Sequence, residues 1–189
     1  SNRNLSLLYD SMSELYYKKR EYTSLIKSLK KTIKYSSNHE QIRRSFFIIG
    51  QSFMSLNKND SASVYFQKSI DTKANNFTDI YLDANLKLSL LKQQEADEEY
   101  FNKMLKQPRN LMASSKINYY YALNSYAKGN YNDSKTQLNE SLKQIDDDEM
   151  LKARVYKKLF EINLDQKNYL NASNYLDSVL NIIENTKKE

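Results

Sequence analysis

Apolar and aromatic residues recur along nearly the whole chain at intervals of three and four, which is the spacing of one face of an α-helix. Two such faces flank the polar break "NKND", and their members are Phe46, Ile49, Gly50 and Phe53 before it and Ala62, Phe66, Ser69 and Ile70 after it. Paired stretches of this kind recur from end to end. The pattern predicts an all-α fold of ten helices, arranged as five helix-turn-helix units.

The five predicted units begin near residues 6, 43, 77, 115 and 153, so that successive starts are 37, 34, 38 and 38 residues apart. Self-similarity at such a period is typical of helical repeat proteins. We expect residues 1–189 to form a single repeat domain. Because the sequence begins with Ser1 rather than methionine, we also expect it to be a piece of a longer chain.

Small residues stand twelve positions apart on the two helices of the middle units. The pairs are Gly50 and Ala62, Ala84 and Ala96, and Ala122 and Ser134. A small side chain on each helix lets two antiparallel helices approach closely, and this arrangement resembles the tetratricopeptide repeat (TPR). The resemblance implies an α-solenoid that forms a right-handed superhelix, in which the first helices of the units line a concave face.

The turns and the end units complete the comparison with the TPR. Tyrosines follow three of the predicted turns, at the place of the aromatic residue in the TPR turn: Tyr22, Tyr131 and Tyr169. The first unit departs from the pattern because Ser13 and Leu25 occupy its small positions, and the fifth has Phe160 at one of them. The proline that usually separates TPR units is absent.

The composition limits the chemistry that the chain can perform. Two glycines and one proline in 189 residues agree with a helical fold that needs few tight turns. There is no cysteine, which excludes a disulfide and a thiolate metal site. The single histidine, His39, is expected on the surface at a helix start rather than in a metal site or a Ser-His-Asp triad. No phosphate-binding loop or catalytic motif occurs. We expect a protein that is not an enzyme and binds no cofactor or metal.

The formal net charge of +6 raises the question of an anionic partner. The densest basic runs, "YYKKREY" and "KSLKKTIK", fall on predicted helices, and acidic residues are interleaved with lysines elsewhere. Two interpretations are open, a solvated helix face and a phosphate-binding patch. The interleaving favours the solvated face, and we expect no contact with nucleic acid. No stretch has the roughly 20 apolar residues of a membrane span, although a lipid anchor could lie upstream.

Polar residues mark several expected helix ends. Ser37, with Glu40 three residues later, reads as the N-cap and capping box of the third helix. Asn110 is expected to cap the helix that follows the single proline, and Gly129 to lie in a turn between two helices. The acidic run Asp146–Glu149 is expected at the start of the ninth helix, where the dipole favours negative charge, rather than in a metal site.

The first helices of the units supply the expected partner-binding residues. Aromatic residues with a few cations suit protein recognition, where tyrosine and arginine are enriched. Projection of the inner positions gives Arg44, Phe47, Gln51, Met54, Tyr81, Asn85, Leu88, Lys116, Tyr119, Leu123, Tyr126, Lys157 and Glu161. Some of these side chains are expected to contact neighbouring repeats instead.

Several longer segments resemble one family more specifically. They include "RRSFFIIGQSFMSLNKNDSASVYFQKSI", "SKINYYYALNSYAKGNYNDSKTQLNESL" and "YLDSVL" after "DQKNYLNA". Their order is similar to that in the PorW/SprE-type TPR lipoprotein of the type IX secretion and gliding-motility apparatus of Bacteroidota. The resemblance implies a periplasmic scaffold that is attached to the outer membrane by a lipid and binds other secretion components.

Two alternatives stay open at this stage. One is a cytoplasmic TPR sensor domain of a bacterial transcriptional regulator, which binds a peptide or protein and controls DNA binding elsewhere in the chain. The other is self-association through the exposed end helices of the array. The segments that flank this sequence would distinguish the first alternative from the secretion scaffold.

Overall fold

The computed structural model describes residues 1–74, 79–93 and 95–186, and within these ranges the regular structure is helical throughout. Ten α-helices and one 3₁₀ helix follow one another, so the predicted all-α fold is confirmed. The α-helices are α1 Asn2–Lys18, α2 Tyr22–Tyr35, α3 His39–Ser55, α4 Asn59–Asp71, α5 Asp79–Leu91, α6 Glu98–Leu105, α7 Ser114–Ala127, α8 Tyr131–Lys143, α9 Glu149–Asp165 and α10 Tyr169–Thr186. The 3₁₀ helix Pro108–Ala113 joins α6 to α7.

The helices group into two compact units, Ser1–Lys92 with α1 to α5 and Gln93–Glu189 with α6 to α10. In unit 1 each helix packs on the next along the chain, and α3 also contacts α5. In unit 2 the helices from α7 to α10 pack in the same order, and α7 contacts α9. The predicted start of the third repeat, near residue 77, lies outside the described residues. The organisation of residues 1–189 as one domain stays a prediction.

Four of the helix pairs share one turn, built around a residue with positive φ. These residues are Arg20 at 57°, Asn57 at 56°, Gly129 at 80° and Lys167 at 59°. At each turn the N–H of this residue and the N–H of the next donate to carbonyls of the preceding helix; the bonds of Gly129 to Tyr126 and of Asn130 to Ser125 are both 2.9 Å. This is the Schellman motif, which satisfies carbonyls at a helix end. The turns therefore recur with the predicted period, and a tyrosine opens α2, α8 and α10.

The two helices of a repeat approach closely where their small residues meet. The space that a Cβ on Gly50 would fill is taken by the ring of Phe66, whose nearest atom would be 2.7 Å away. Ala62, Ala122 and Ser134 have no exposed surface. The predicted small positions of these two repeats are therefore at the helix contact.

Serine hydroxyls join the second helix of a pair to the backbone of the first. The bonds run from Ser28 to Tyr9 O at 2.8 Å, Ser69 to Arg43 O at 3.0 Å, Ser134 to Ala122 O at 2.8 Å and Ser141 to Ser115 O at 2.8 Å. All four serines are buried. Because a buried hydroxyl must find an acceptor, these bonds restrict how one helix can slide along the other.

The predicted helix ends are partly correct. Asp148 caps α9 by accepting from the N–H of Leu151 at 2.8 Å, as the acidic run suggests. The cap of α3 is Asn38 and not Ser37, since the Asn38 side chain reaches the N–H groups of Glu40 and Gln41. Asn110 does not cap α7. Its side chain is buried and donates to the carbonyl of Met104 at 2.9 Å, which holds the 3₁₀ helix against the end of α6.

We predict opposite effects of glycine at two lysine positions. Lys167→Gly should leave the free energy of unfolding unchanged or raise it by up to about 1 kcal/mol, because glycine adopts a positive φ more easily than lysine. Lys31→Gly, in an exposed turn of α2, should cost about 0.5–1 kcal/mol through lower helix propensity. Urea unfolding followed by circular dichroism measures both. If Lys167→Gly lowered the free energy of unfolding as much as Lys31→Gly, the positive φ of residue 167 would not be a cost to the folded chain.

Gly50→Ala should destabilise the chain by about 1–3 kcal/mol, because the added methyl group meets the Phe66 ring in a packed core. Phe66→Leu removes ring atoms and should reduce the cost of Gly50→Ala when the two changes are combined. A double-mutant cycle measures this coupling. Strictly additive free energies would show that the contact with Phe66 does not limit residue 50.

Candidate functional site

The described surface of unit 1 contains a groove that runs along α1 and α3. It consists of two cavities of about 1030 and 480 Å³ that share Asp10 of α1 and Arg44 of α3. The lining extends along α1 from Asn2 to Lys18. At 1.5 Å per residue this length is about 24 Å, which would accommodate roughly seven residues of extended peptide.

The smaller cavity has an apolar floor, whereas most residues that line the larger cavity are polar or charged. Leu25 and Leu29 of α2 are 1% exposed and line the smaller cavity together with Ile48 of α3. Asp10 and Arg44 are not among the ion pairs found within the described ranges. Both charges therefore face the groove without neutralising each other, over a floor that can bury apolar side chains.

Polar bonds fix the end of the groove near the start of α3. The Gln41 side-chain oxygen accepts from the Ser6 hydroxyl of α1 at 2.9 Å and from the Ser36 hydroxyl, between α2 and α3, at 2.6 Å. This amide thus joins α1, the segment between α2 and α3, and α3 itself. The wall that carries Arg44 is held by a hydrogen-bonded frame rather than by apolar contact alone.

The structure separates the predicted residues of α3 into two faces. Arg44, Ile48 and Gln51 line the groove. They occupy positions i, i+4 and i+7 of α3 and therefore share one face of the helix. Phe47 is not in the groove: it is 8% exposed, and its ring lies 5.7 Å from that of Phe66, centroid to centroid. Phe47 therefore packs in the core against the same Phe66 ring that Gly50 approaches, and its contact with a partner stays a prediction.

Met54 and Leu88 also belong to the interior side of unit 1. Both are partly buried and pack against the cluster of Phe47, Ala62, Phe66 and Ala84. They contribute to the contact among α3, α4 and α5, and any surface they offer to a partner is small.

The α5 candidates lie beside a buried arginine. The Arg43 guanidinium is 5.8 Å from the ring centroid of Tyr81, and it donates to the carbonyl of Thr72 at 2.7 Å. The Asn85 side chain donates to the Tyr81 carbonyl at 2.8 Å. Tyr81 and Asn85 are half-buried, and their contacts with Arg43 and with the α5 backbone help to position α5. Ile80, which was not predicted, lines the larger cavity.

Unit 2 carries a patch of aromatic and charged side chains where α7 faces α9. The Tyr126 hydroxyl donates to the Asp165 carboxylate at 2.7 Å, and the Lys158 ammonium lies 4.3 Å from the centre of the Tyr126 ring. Lys158 is paired with Glu161, which is also 4.0 Å from Lys157. The predicted Tyr126, Lys157 and Glu161 thus belong to a network whose other members, Lys158 and Asp165, were missed.

The remaining unit 2 candidates have different surroundings. Tyr119 is half-buried, and burial is the main cause that raises its pKa to about 12. Lys116 and Leu123 are half-buried on α7, whereas the Lys157 side chain is 69% exposed. The spacing of three and four between Lys157, Lys158 and Glu161 could have signalled their pairing on one helix.

Within residues 1–74, 79–93 and 95–186, no three acidic or histidine side chains come together in a way that could hold a metal ion. The helices in the same ranges are too short or too polar for a bilayer crossing.

Known proteins resemble this chain in structure. No family model matches the sequence, and no curated protein matches it either. MamA, residues 41 to the end, from Desulfovibrio magneticus RS-1 superposes with a TM-score of 0.64 at 14% identity, covering 96% of both chains. A double mutant of MamA RS-1 gives 0.63 at 13%, covering 98% of both.

A third similar structure is BtubC (BKLC) from P. vanneervenii, with a TM-score of 0.69 at 10% identity over 96% of this chain and 80% of the other. Similarities at such low identity show the fold alone. The fold is that of a TPR-like, all-α helical repeat protein.

Changes to the patch should alter how Tyr126 titrates. The hydrogen bond to Asp165, followed by burial, raises the pKa of Tyr126 to about 12 from the ordinary 10.0. Because the folded-state pKa is raised, the stability from this bond is present below pH 10.0 and is lost as pH rises towards about 12. Asp165→Asn should lower the pKa of Tyr126, which NMR titration can follow.

Tyr126→Phe should cost about 0.5–1 kcal/mol below this pH window and nothing above it. Tyr17→Phe, at a tyrosine that is 58% exposed on α1, is the control and should have little effect at any pH. Urea unfolding on both sides of the window tests this. A cost that does not depend on pH would mean that the ring, and not the hydroxyl, stabilises the contact between α7 and α9.

Proposed function

We propose that this chain is a non-enzymatic scaffold that binds a segment of a partner protein in the groove between α1 and α3. The observation that carries the proposal is the juxtaposition of Asp10 and Arg44, which line both cavities. The smaller cavity also has an apolar floor formed by Leu25, Leu29 and Ile48. Small apolar anchors with a few oriented polar groups are the usual features of a peptide-binding groove. TPR-like helical repeats present such grooves on their first helices.

The groove favours a partner segment with both apolar and charged residues. A carboxylate of the partner can bind Arg44, and a basic side chain or free backbone N–H groups can bind Asp10. Apolar side chains between them would pack mainly against the half-buried Ile48, since Leu25 and Leu29 are already covered within unit 1. The charges would then fix direction and register more than affinity.

We further propose that the scaffold belongs to the type IX secretion and gliding machinery, in the periplasm and attached to the outer membrane. The support for this finer assignment is the order of the quoted segments, among them "YLDSVL" after "DQKNYLNA". Its partners would be other secretion components. The alternative, a cytoplasmic sensor domain of a transcriptional regulator, predicts different partners and is therefore an outcome of the same experiment.

Arg44→Glu should abolish capture of the groove partner while leaving the fold intact, because Arg44 is exposed. The tagged full-length protein is recovered from its own cells in mild detergent, and the bound proteins are identified by mass spectrometry. Lys167→Glu, in an exposed turn of unit 2, makes the same charge change and is the control.

Proteins lost from Arg44→Glu but retained by Lys167→Glu are groove partners. Outer-membrane secretion components among them would support the finer assignment, whereas regulators or DNA-bound complexes would replace it by the sensor. If the two variants capture the same proteins as the unmodified chain, the groove is not the binding site.

A further inference from the structure

The net positive charge of the chain comes from unit 1, because the charges of unit 2 nearly cancel. Residues 1–92 contain 15 Lys and Arg and 8 Asp and Glu, a difference of +7, and residues 93–189 contain 14 and 15, a difference of −1. These add to the net +6 of the sequence. Within unit 1 the charge is again uneven, since residues 18–34 hold seven basic residues and one acidic residue.

Four of the seven basic residues in 18–34 lie along the solvent-exposed side of α2. Its lysines are Lys27, Lys30, Lys31 and Lys34, all exposed, and the helix contains no acidic residue. Their spacing of three, four and seven places them along one stripe. We call this stripe, with the neighbouring Lys68 of α4, the basic face.

Lys68 joins the stripe through a shared aromatic ring. The ammonium groups of Lys30 and Lys68 lie 5.7 and 5.1 Å from the centroid of Tyr65 on α4. Val64, next to Tyr65, is 52% exposed. The basic face therefore continues from α2 to α4, where it includes the exposed Val64 and the partly buried ring of Tyr65 beneath the two ammonium groups.

The arrangement on α2 is electrostatically unfavourable in the free protein. Like charges three and four residues apart on a helix repel one another. The same protein neutralises such lysines elsewhere, as Lys158 with Glu161 on α9 and Lys143 with Glu140 on α8 show. Among the ion pairs found within the described ranges, none involves a lysine of the basic face. An anionic partner would remove this repulsion.

The shape and chemistry of the basic face favour a lipid surface as that partner. Apart from Lys34, the lysines of the basic face lie outside the two cavities described in unit 1, so most of the face is separate from the proposed peptide groove. Its cations are all lysines, which attract charge without the bidentate geometry by which arginine selects particular groups. A tyrosine flanked by lysines suits the headgroup region of a bilayer.

We propose that the basic face of α2 and α4 docks unit 1 onto the surface of an anionic lipid bilayer. The apolar side of α2 is buried against its neighbours, with Leu25 and Leu29 in the core, so the helix lies on the headgroups and does not insert. Each lysine near an anionic surface strengthens binding by about fivefold, and the attraction weakens within a Debye length as salt is added.

The test measures binding of the full chain to phosphatidylcholine vesicles with and without phosphatidylserine, by co-sedimentation at low and physiological ionic strength. Replacing the four α2 lysines by glutamine should weaken binding to the anionic vesicles by roughly several hundredfold at low ionic strength, because about fivefold is lost for each lysine. The same lysines changed to arginine keep the charge and should retain binding. The control replaces four exposed unit 2 lysines by glutamine: Lys103, Lys106, Lys157 and Lys167. It has the same net charge as the α2 variant and should bind within about twofold of the unmodified chain.

Three results would overturn the proposal. The first is the absence of binding to phosphatidylserine vesicles even at low ionic strength. The second is an equal loss in the unit 2 control, since net charge and not the basic face would then be responsible. The third is tighter binding to an oligonucleotide than to the vesicles, which would make the face a nucleic-acid site. Circular dichroism confirms that each variant retains its helices.

Discussion

The close contact of two helices at a residue without a side chain is the constraint on which unit 1 depends. With Gly50 on α3, the Phe66 ring of α4 occupies the space of the missing Cβ. This contact fixes the rotation of α3 about its own axis. Once Gly50 faces α4, Phe47 must face the core, and Arg44, Ile48 and Gln51 must face α1. The chemistry of the groove is therefore set by a packing requirement on the other side of the same helix.

Hydrogen bonds between helices complement this packing. A core made only of apolar side chains tolerates sliding of one helix along another, because the hydrophobic effect has no direction. Buried serines such as Ser69 and Ser141, whose hydroxyls reach a carbonyl of the partner helix, lose their bonds if the helices slide. The serines thus specify register, and they explain how a chain with many polar residues at the helix contacts still packs in a defined way.

The fold could be predicted from the sequence because its determinants are local and periodic. Helical spacing, small residues twelve apart and tyrosines after the turns all repeat, so an error in one unit is corrected by the others. Arg20, Asn57 and Lys167 show the limit, since no glycine marks their turns and only the backbone conformation shows that they match Gly129.

The candidate site was less predictable because it depends on helix rotation and on contacts distant in sequence. Rotating α3 about its axis by one residue, about 100°, would move Phe47 from the core to the groove. The apolar pattern of α3 is compatible with both orientations. The pairing of Tyr126 with Asp165 joins residues 39 positions apart on different helices. Asn110 looked like a cap and instead bonds Met104, because the 3₁₀ helix bends the chain back towards α6. In each case a tertiary contact overrides the local pattern.

The two units handle their charges differently, and this difference bears on where binding occurs. In unit 2, Lys143, Lys152, Lys157 and Lys158 each lie within 4.0 Å of a glutamate on their own helix. Such pairs add little stability, but they leave a surface with little net attraction for ions. In unit 1 the lysines of α2 have like charges as neighbours, and Arg44 and Asp10 face an open groove. These are the charges that the proposed partners of unit 1 would neutralise, because opposite charges across an interface fix its orientation and register.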